Sequence, residues 1–535
     1  MAVAAANTAA VAVAAAVATN TLLVIESGSG LAGPRFFARD RASFRLHRRT
    51  KTNEETPFAR RRLRTRNVKA LPNCSVLLPG VVATSAGMRC QLTRRSFLSR
   101  AAVFGGGLMI VPSSIVRARA GQTPNEKLNI ALIGTWGRGE AHFDAISSEN
   151  VVALCDVNEE HLAFGAKRFP TAKQYVDWRK CLDQKDINAV VCCTADHTHA
   201  FVATWAMNRG LHVYCEKPLA NTVEEARIVR ATFLKNKNKL ATQCGTQRHE
   251  YENFNRVREL IKDGAIGQLE AVSTWGNRQI PKPSYLPAQG EPPPHLHYDL
   301  WIGPSPFHPY NPGYFSGGPG MNCLSWNMYW DFGNGQIGDM GSHTMDIAWN
   351  AIDATLPTSA VAKGEPFNPE VSPVKLEMHL EHPANDWRKA IQVAWYQGGA
   401  MPEPPTRMID LQKIDHGAMF EGTQGVLVSD FTQRVIFPNG DKSDMTYYKP
   451  RAKEATIPKM GNFQKQWINA CKGSLKTSCD FEYSGNMIEQ MLLGLVAYRV
   501  GKKIAYDSAT GRVTDCPEAN DLLRRAYRPG WTLNG

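Results

Sequence analysis

Leu128-Asn129-Ile130-Ala131-Leu132-Ile133-Gly134-Thr135-Trp136-Gly137-Arg138-Gly139 decides the fold. Six residues, apolar at all but one position, read as a strand covered on both faces, which is the habit of parallel sheets. The glycines that follow permit a tight turn, close backbone approach and helix packing, and a helix opening there receives a pyrophosphate at its N-terminus. Trp136 stands where the commonest fingerprint has its second glycine, so the pattern is G-x-x-G-x-G. Asp156 ends the next apolar run, Val151 to Cys155, and lies 17 residues after Gly139. A carboxylate there accepts the ribose hydroxyls of NAD and repels a 2′-phosphate, so NAD is expected ahead of NADP. A helix N-cap is the plainer role for the same residue.

Outward from that stretch, β-rich runs alternate with helical segments, the signature of a doubly wound α/β domain. Strands are expected at Leu128 to Ile133, Val151 to Cys155, Ala189 to Cys193, the run ending at Glu216, and Leu240 to Cys244. Helices are expected after Gly137, at Asn158 to Arg168, at His199 to Asn208, and at Thr222 to Lys235, the last capped by Asn221 or Thr222. Beyond Gly245 the pattern changes to one helix, Tyr251 to Lys262, and longer alternating runs such as Leu269 to Trp275, Val374 to His379 and Ala390 to Trp395. That predicts a second α/β domain with a mainly antiparallel open sheet. Pro281 to Met321, dense in Pro, Gly and aromatics, is expected to be a structured loop. Two late helices, Phe463 to Ala470 and Gly485 to Val500, are expected to return to the first domain. The domains expected are thus 1–120 leader, 121–245 Rossmann, 246–460 substrate and oligomerisation domain, and 461–535 C-terminal helices and tail.

The formal charge of +13 looks like a nucleic-acid signal until it is divided along the chain. Residues 1–120 hold 19 of the 62 basic and 4 of the 49 acidic residues, and the remaining 43 basic and 45 acidic residues give −2. The body therefore offers no electrostatic reason to bind DNA or RNA. In the leader, Thr93-Arg94-Arg95-Ser96-Phe97-Leu98 precedes a weakly apolar stretch, Ala101 to Val116, and then Ala118-Arg119-Ala120. This pattern predicts twin-arginine export to an extracytoplasmic or periplasmic location, with the export machinery as a partner and no permanent membrane span. Such signals normally open a chain, so either residues 1–87 are disordered or Met88 is the true initiator and they are untranslated; Met88 is the expected initiator. Twelve cysteines show no C-x-x-C. They fit buried, reduced thiols, and no metal site is expected.

Three constellations carry chemistry. Glu216-Lys217-Pro218 ends an apolar strand, and in open α/β sheets ligands bind outside the carboxyl ends of strands, so Lys217 faces the ligand. Thr194-Ala195-Asp196-His197-Thr198-His199 lies in the preceding strand-to-helix turn, where Thr194, His197 and His199 are expected to reach the cofactor's ribose or nicotinamide. His199 as the cap of its own helix is the alternative. In Gly338-Asp339-Met340-Gly341-Ser342-His343-Thr344-Met345-Asp346, Asp339 and His343 are four apart and Asp346 follows at i+7, one face of a regular helix. A carboxylate beside a histidine fixes its tautomer and raises its basicity, which suits removal of a hydroxyl proton. A surface acid–histidine pair ranks second and a metal site third.

Taken together, these motifs and Gly245-Thr246-Gln247-Arg248 resemble the glucose-fructose oxidoreductase / inositol dehydrogenase / MocA family. The likeness covers Leu128 to Trp531, with departures at Trp136 and at Ala195, where the family often has proline. The resemblance implies an N-terminal Rossmann domain, a C-terminal open-sheet α/β domain, and NAD(P)-dependent oxidation of a sugar or cyclitol hydroxyl. It implies catalytic roles for Lys217, for Asp339 as its paired carboxylate, and for His343 as base. Gly134, Trp136, Gly137, Arg138, Gly139, Asp156, Glu216, Lys217 and Gln247 are expected on the cofactor. Lys217, Arg248, Trp326, Asp339 and His343 are expected on the substrate. In the family an exposed sheet face is common and is compatible with a homo-oligomer.

Export adds a constraint, because a nicotinamide enzyme outside the cytoplasm has no ordinary pool to refresh its cofactor. One reading is a sugar oxidoreductase with tightly held NAD. The main alternative is a redox-neutral glycosidase that transiently oxidises a sugar, eliminates and re-reduces it. A noncatalytic cofactor-binding sensor comes third.

Overall fold

A computed structural model describes residues 23–24, 126–318, 321–439 and 444–534. The leader motif, the cleavage site and Met88 lie outside the described residues.

Six parallel strands form the first sheet: β1 (Asn129–Ile133), β2 (Asn150–Cys155), β3 (Lys173–Tyr175), β4 (Ala189–Cys192), β5 (His212–Cys215) and β6 (Thr242–Cys244). Their order is β3-β2-β1-β4-β5-β6, so the strand order reverses at β1/β4 and opens a crevice at the carboxyl ends of those strands. Alternate residues serve opposite faces. Ile130, Leu132, Leu154 and Val191 pack on one side, while Ala131, Ile133, Val190 and Val213 pack on the other. The sequence missed β3, a short edge strand whose polar residues give no apolar signal.

Helices of nine or more residues are α1 (Glu159–Arg168), α2 (Asp196–Asn208), α3 (Val223–Asn236), α4 (Glu252–Lys262), α5 (Ser342–Ala351), α6 (Phe463–Cys471) and α7 (Phe481–Val500). Their starts follow their caps: Asn158 Oδ1 accepts from Glu160 N, Thr222 Oγ1 from Glu225 N, and Asp480 Oδ1 from Glu482 N. Asn158, and not Asp156, is therefore the cap of α1. Two expectations need correction. The helix after Gly137 is only a 3₁₀ turn, Gly139–His142, and a single α turn, Phe143–Ile146, because β2 must begin at Asn150. Helix α2 begins at Asp196, which puts His199 inside its first turn instead of at its cap.

The second sheet is built from β7 (Leu269–Gly276), β8 (Ser359–Gly364), β9 (Leu376–His382), β10 (Ile391–Gln397), β11 (His416–Gly422), β12 (Gly425–Ser429), β13 (Arg434–Pro438), β14 (Ile504–Asp507) and β15 (Arg512–Val513). The order is β13-β12-β11-β7-β10-β9-β8-β14-β15, with Leu23–Val24 paired beyond β13. Among the described strands of this sheet, only β7 and β10 pair in parallel. Strand β9 alternates buried and half-buried residues throughout, the pattern of a sheet with one covered face.

The C-terminal segment ties the two sheets together. Helix α6 covers one face of the parallel sheet, with the Trp467 and Phe463 rings 5.7 and 6.3 Å from that of Tyr214. Helix α7 is buried on nearly every side because it packs against α3 on one side and β8 and β9 on the other. A Cβ at Gly494 would sit 2.1 Å from Met378 Sδ, so glycine is what lets helix and sheet approach. Among the described residues no helix is long and apolar enough to cross a membrane.

Candidate active site

A cleft of about 540 Å³ opens at the β1/β4 crevice and is lined from both sheets' surroundings. Its floor is the glycine turn. Gly134 holds φ +87°, and a Cβ there would lie 2.4 Å from the Cys193 carbonyl oxygen. Gly137 is also left-handed, at φ +61°. A Cβ on Gly139 would meet the Gly134 oxygen at 2.1 Å. The turn thus depends on glycine at all three positions. Trp136, where a glycine was missing, swings its ring onto His161 with centroids 4.4 Å apart and lines the cleft.

Asp156 sits at the cleft edge, its Oδ2 accepting from Thr135 N at 2.9 Å and its Oδ1 from Asn158 N at 3.0 Å. Oδ2 also lies 3.3 Å from Thr135 Oγ1, and Oδ1 keeps a lone pair for a further donor. Beside it, the segment from Pro293 to His297 crosses over from the second half of the chain. Glu159 N donates to His295 O and His297 N to Val157 O, both at 2.8 Å.

Lys217 leaves the end of β5, and its Nζ donates to Asp339 Oδ1 at 2.5 Å. The other Asp339 oxygen accepts from Arg278 Nη1 at 2.6 Å. Burial alone would raise the Asp339 pKa, but the two cations outweigh it and hold the carboxyl down to about 2. Burial acts against the Lys217 ammonium, and the Asp339 charge more than restores it, so its pKa is raised. His343 lines the same cleft four residues on. Burial first, then the Lys217 and Arg248 charges, push its pKa well below the ordinary 6.5, with Asp339 opposing. The imidazole is neutral at physiological pH.

Two corrections follow. Asp339 spends its hydrogen bonds on Lys217 and Arg278 instead of fixing His343, and the net effect on His343 is lowered basicity. Asp346 does not share the site. Residues Ile337–Gly341 form a π turn ahead of α5, which breaks the 3.6 register, and Asp346 instead accepts from His249 Nδ1 at 2.8 Å and from the Tyr483 hydroxyl at 2.5 Å.

The remaining expected residues divide. Glu216 is buried, its Oε1 accepting from Arg138 Nε at 2.8 Å and from His142 Nε2 at 2.9 Å. Burial would raise its pKa, but Arg138 and His142 prevail and lower it. Thr194, Gln247, Arg248 and Trp326 line the cleft. The Arg248 guanidinium lies 4.2 Å from the centre of the Phe431 ring. His197 does not line it: its Nε2 meets Trp301 O at 2.8 Å, and its ring packs on Trp301 and Phe332. His199 lines the cleft, but both its ring nitrogens are spent on main-chain carbonyls.

Sequence reasoning missed Arg278, Asp196, Asn322, Cys323 and Asn327. Asp196 carried the one available signal, an acid in the cofactor-side turn, where it looks like an ordinary first-turn charge. Burial, reinforced by Asp339 and Glu216, raises its pKa to about 7 against the pull of His199 and Lys217. Arg278 comes from the loop after β7, and nothing in its local sequence announces that it faces Asp339.

The glycine cradle and the strand-end carboxylate suit a dinucleotide. The buried polar atoms Arg138 Nη2, Gln247 Oε1 and His343 Nδ1, all on cleft-lining residues, have no protein partner and fit groups that a bound ligand would satisfy. Fold and site together define an α/β protein with a dinucleotide-binding Rossmann half and a second α/β half that lines the same cleft. The chain belongs to the Gfo/Idh/MocA oxidoreductase family: residues 128–244 match the model of its NAD-binding Rossmann fold and residues 275–533 that of its C-terminal alpha/beta domain.

Among curated proteins it is similar to levoglucosan dehydrogenase of Pseudarthrobacter phenanthrenivorans, 27% identical over 251 residues, 44% of this chain and 55% of the relative. It is also similar to inositol 2-dehydrogenase of Salmonella paratyphi B, 30% identical over 146 residues, 26% of this chain and 43% of the relative. The chain thus spans about half the length of the curated relatives it matches. The WlbA dehydrogenase of Chromobacterium violaceum, solved with NADH and UDP-GlcNAcA, shares the fold at 14% identity and a TM-score of 0.52, covering 72% of this chain and 98% of that one.

Proposed function

We propose that the protein oxidises a hydroxyl group of a sugar, cyclitol or related polyol to a carbonyl, with NAD as hydride acceptor. The observation that carries this reading is the Lys217–Asp339 pair at 2.5 Å, set beside a neutral His343 at the mouth of the glycine turn. Bound nicotinamide supplies the acceptor for the hydride leaving the hydroxyl-bearing carbon. The protein handles the proton. Neutral His343 accepts it from the hydroxyl, and the Asp339 charge supports the imidazolium that forms. Lys217, held as an ammonium, donates a hydrogen bond to the oxygen as it becomes a carbonyl. Gly134, Gly137, Arg138, Asp156 and Gln247 would hold the dinucleotide, and Arg248 and Trp326 border the substrate side. The two curated relatives support the substrate class, one being named a dehydrogenase of levoglucosan and the other of inositol.

Export by the twin-arginine route belongs to the same proposal and is supported by Thr93 to Leu98 and Ala118-Arg119-Ala120. Replacement of Arg94 and Arg95 by Lys, followed by fractionation, tests it; unchanged location removes it.

The activity test starts from purified protein examined for nicotinamide by absorbance and then offered free polyols and aryl glycosides. Net NADH from a polyol supports the reading. Release of aglycone without net NADH replaces it with a transient-oxidation glycosidase, and full turnover by folded His343→Ala or Lys217→Ala removes the mechanism.

A further inference from the structure

His199 is 1% exposed and sits one turn into α2. Its Nδ1 lies 2.7 Å from the carbonyl oxygen of Pro218, and its Nε2 lies 2.9 Å from that of Thr194. Carbonyl oxygens only accept, and a neutral imidazole has one N–H, so a neutral ring would leave one nitrogen lone pair facing a carbonyl lone pair in a dry environment. Two carbonyl partners require two N–H groups. We propose that His199 is a permanent imidazolium that clamps the Thr194 turn to the Lys217-Pro218 turn and so positions Lys217 for the reaction.

The surroundings supply the compensation that a buried cation requires. Cys192 from β4 and Cys215 from β5 crowd the ring, the three potential ligand atoms lying within 4.8 Å of one another. Cys215 Sγ is 3.9 Å from the His199 carbonyl oxygen. Asp196 lies on the same helix, and Lys217 adjoins the clamped Pro218. Burial acts to discharge the ring, but Cys192 and Asp196, followed by the two carbonyls, prevail and raise its pKa. The Cys192 thiol is in turn drawn down to about 6, with Cys215, His199 and Thr194 overcoming burial. Thr198 donates to Thr194 Oγ1 at 2.7 Å, which leaves the Thr194 hydroxyl hydrogen free for Cys192 Sγ, 3.4 Å away. The cluster of two cysteines and a histidine resembles a metal site by composition alone. With both ring nitrogens donating, His199 has no lone pair for a metal.

His197, two residues earlier, gives an internal contrast. It has one carbonyl partner, Trp301 O, and a buried Nδ1 without a partner. Burial and the Arg525 charge drive its pKa down to about 3.

His199 touches the clamped carbonyls, so it is a positioning residue resting on the proposed role of Lys217. Neutron diffraction on deuterium-exchanged crystals of the protein near neutral pD should show deuterons on both His199 nitrogens and on a single nitrogen of His197. A single deuteron on His199 overturns the proposal, whatever the enzyme's activity. In solution, His199→Gln should lower kcat about tenfold or more while leaving the dissociation constant for NAD, read by fluorescence quenching, within about twofold. A folded His199→Gln with unchanged kcat overturns the positioning role. If that variant fails to fold, the neutron measurement still decides the charge. If the wild-type protein reduces NAD with no polyol, the function proposed above fails, while two deuterons on His199 still support the clamp and one still overturns it.

Discussion

Lys217 and Asp339 lie 122 residues apart in sequence and meet at 2.5 Å, joining the end of a strand in the parallel sheet to the π turn that precedes α5. The pair is nearly enclosed, the side chains being 16% and 11% exposed, and Arg278 completes it from a third segment. Removing one member leaves a buried charge with reduced compensation.

Lys217→Met and Asp339→Asn should therefore both lower kcat by roughly 10²–10⁴, the range for a group that moves or polarises a proton in the transition state. Lys217→Met should also cost some stability, less than the about 3–5 kcal/mol of a fully orphaned buried charge, because Arg278 remains on Asp339. Steady-state kinetics and urea melts read the two effects separately. A Lys217→Met enzyme with wild-type kcat is the outcome that defeats the assignment.

Acid sensitivity has a defined sign. The folded Asp339 pKa of about 2 lies below its unfolded value of 3.8. The unfolded chain binds more protons between those values, so the stabilisation is fully present above the higher one and is lost as pH falls through the lower, about 2 kcal/mol in all. Stability curves of the wild type and Asp339→Asn should converge below about pH 2, within the window set by that linkage.

The pH–rate profile should place its limb near neutrality on Asp196, whose pKa is about 7, because its ionised carboxylate adds negative charge beside Lys217. His343 titrates well below 6.5 and should contribute only at lower pH. Asp196→Asn should remove the limb, and Arg248→Gln should move the His343 limb upward by relieving a neighbouring cation. A neutral limb that survives in Asp196→Asn contradicts this.

Asp346→Ala should behave as a stability variant. It strips the partner from His249 Nδ1 and from the Tyr483 hydroxyl, and each buried group left without one costs about 1–3 kcal/mol. The melting temperature should fall while the pH–rate profile keeps its shape. A selective loss of kcat with unchanged melting would return Asp346 to the active site.

Asp156→Ser should weaken NAD by about tenfold and narrow the preference over NADP, by loss of one charge-assisted ribose contact and of the repulsion toward a 2′-phosphate. Gly134→Ala should destabilise the protein by more than about 1 kcal/mol, since φ +87° strains any side chain and the added carbon meets the Cys193 carbonyl. Isothermal titration with both cofactors and thermal melts check these two.

Alternation of buried strands with helices, the glycine turn, the strand-end carboxylate and the lysine after β5 were all legible in the chain, because each is a local pattern with a period or a fixed spacing. That was enough for the fold class and for the cofactor end of the cleft. Edge strand β3 escaped because its polar residues carry no periodic apolar signal. The length of the first helix escaped because it is set by where β2 must start.

Partners were a different matter. Spacing put Asp339, His343 and Asp346 on one face of a regular helix, but helical period says which way a side chain points and never what waits there. A π turn broke the register, Lys217 and Arg278 claimed Asp339, and His249 and Tyr483 claimed Asp346. Charge states were also tertiary: His343 is neutral because it is buried near Lys217 and Arg248, and His199 is charged because two carbonyls and a thiol converge on it. The sequence by itself determined a Rossmann strand with Lys217 at its end. Only the folding of distant segments around a shared low-dielectric cleft decided which groups hold their protons there, since burial and neighbouring charge set those equilibria and neither is written in local sequence.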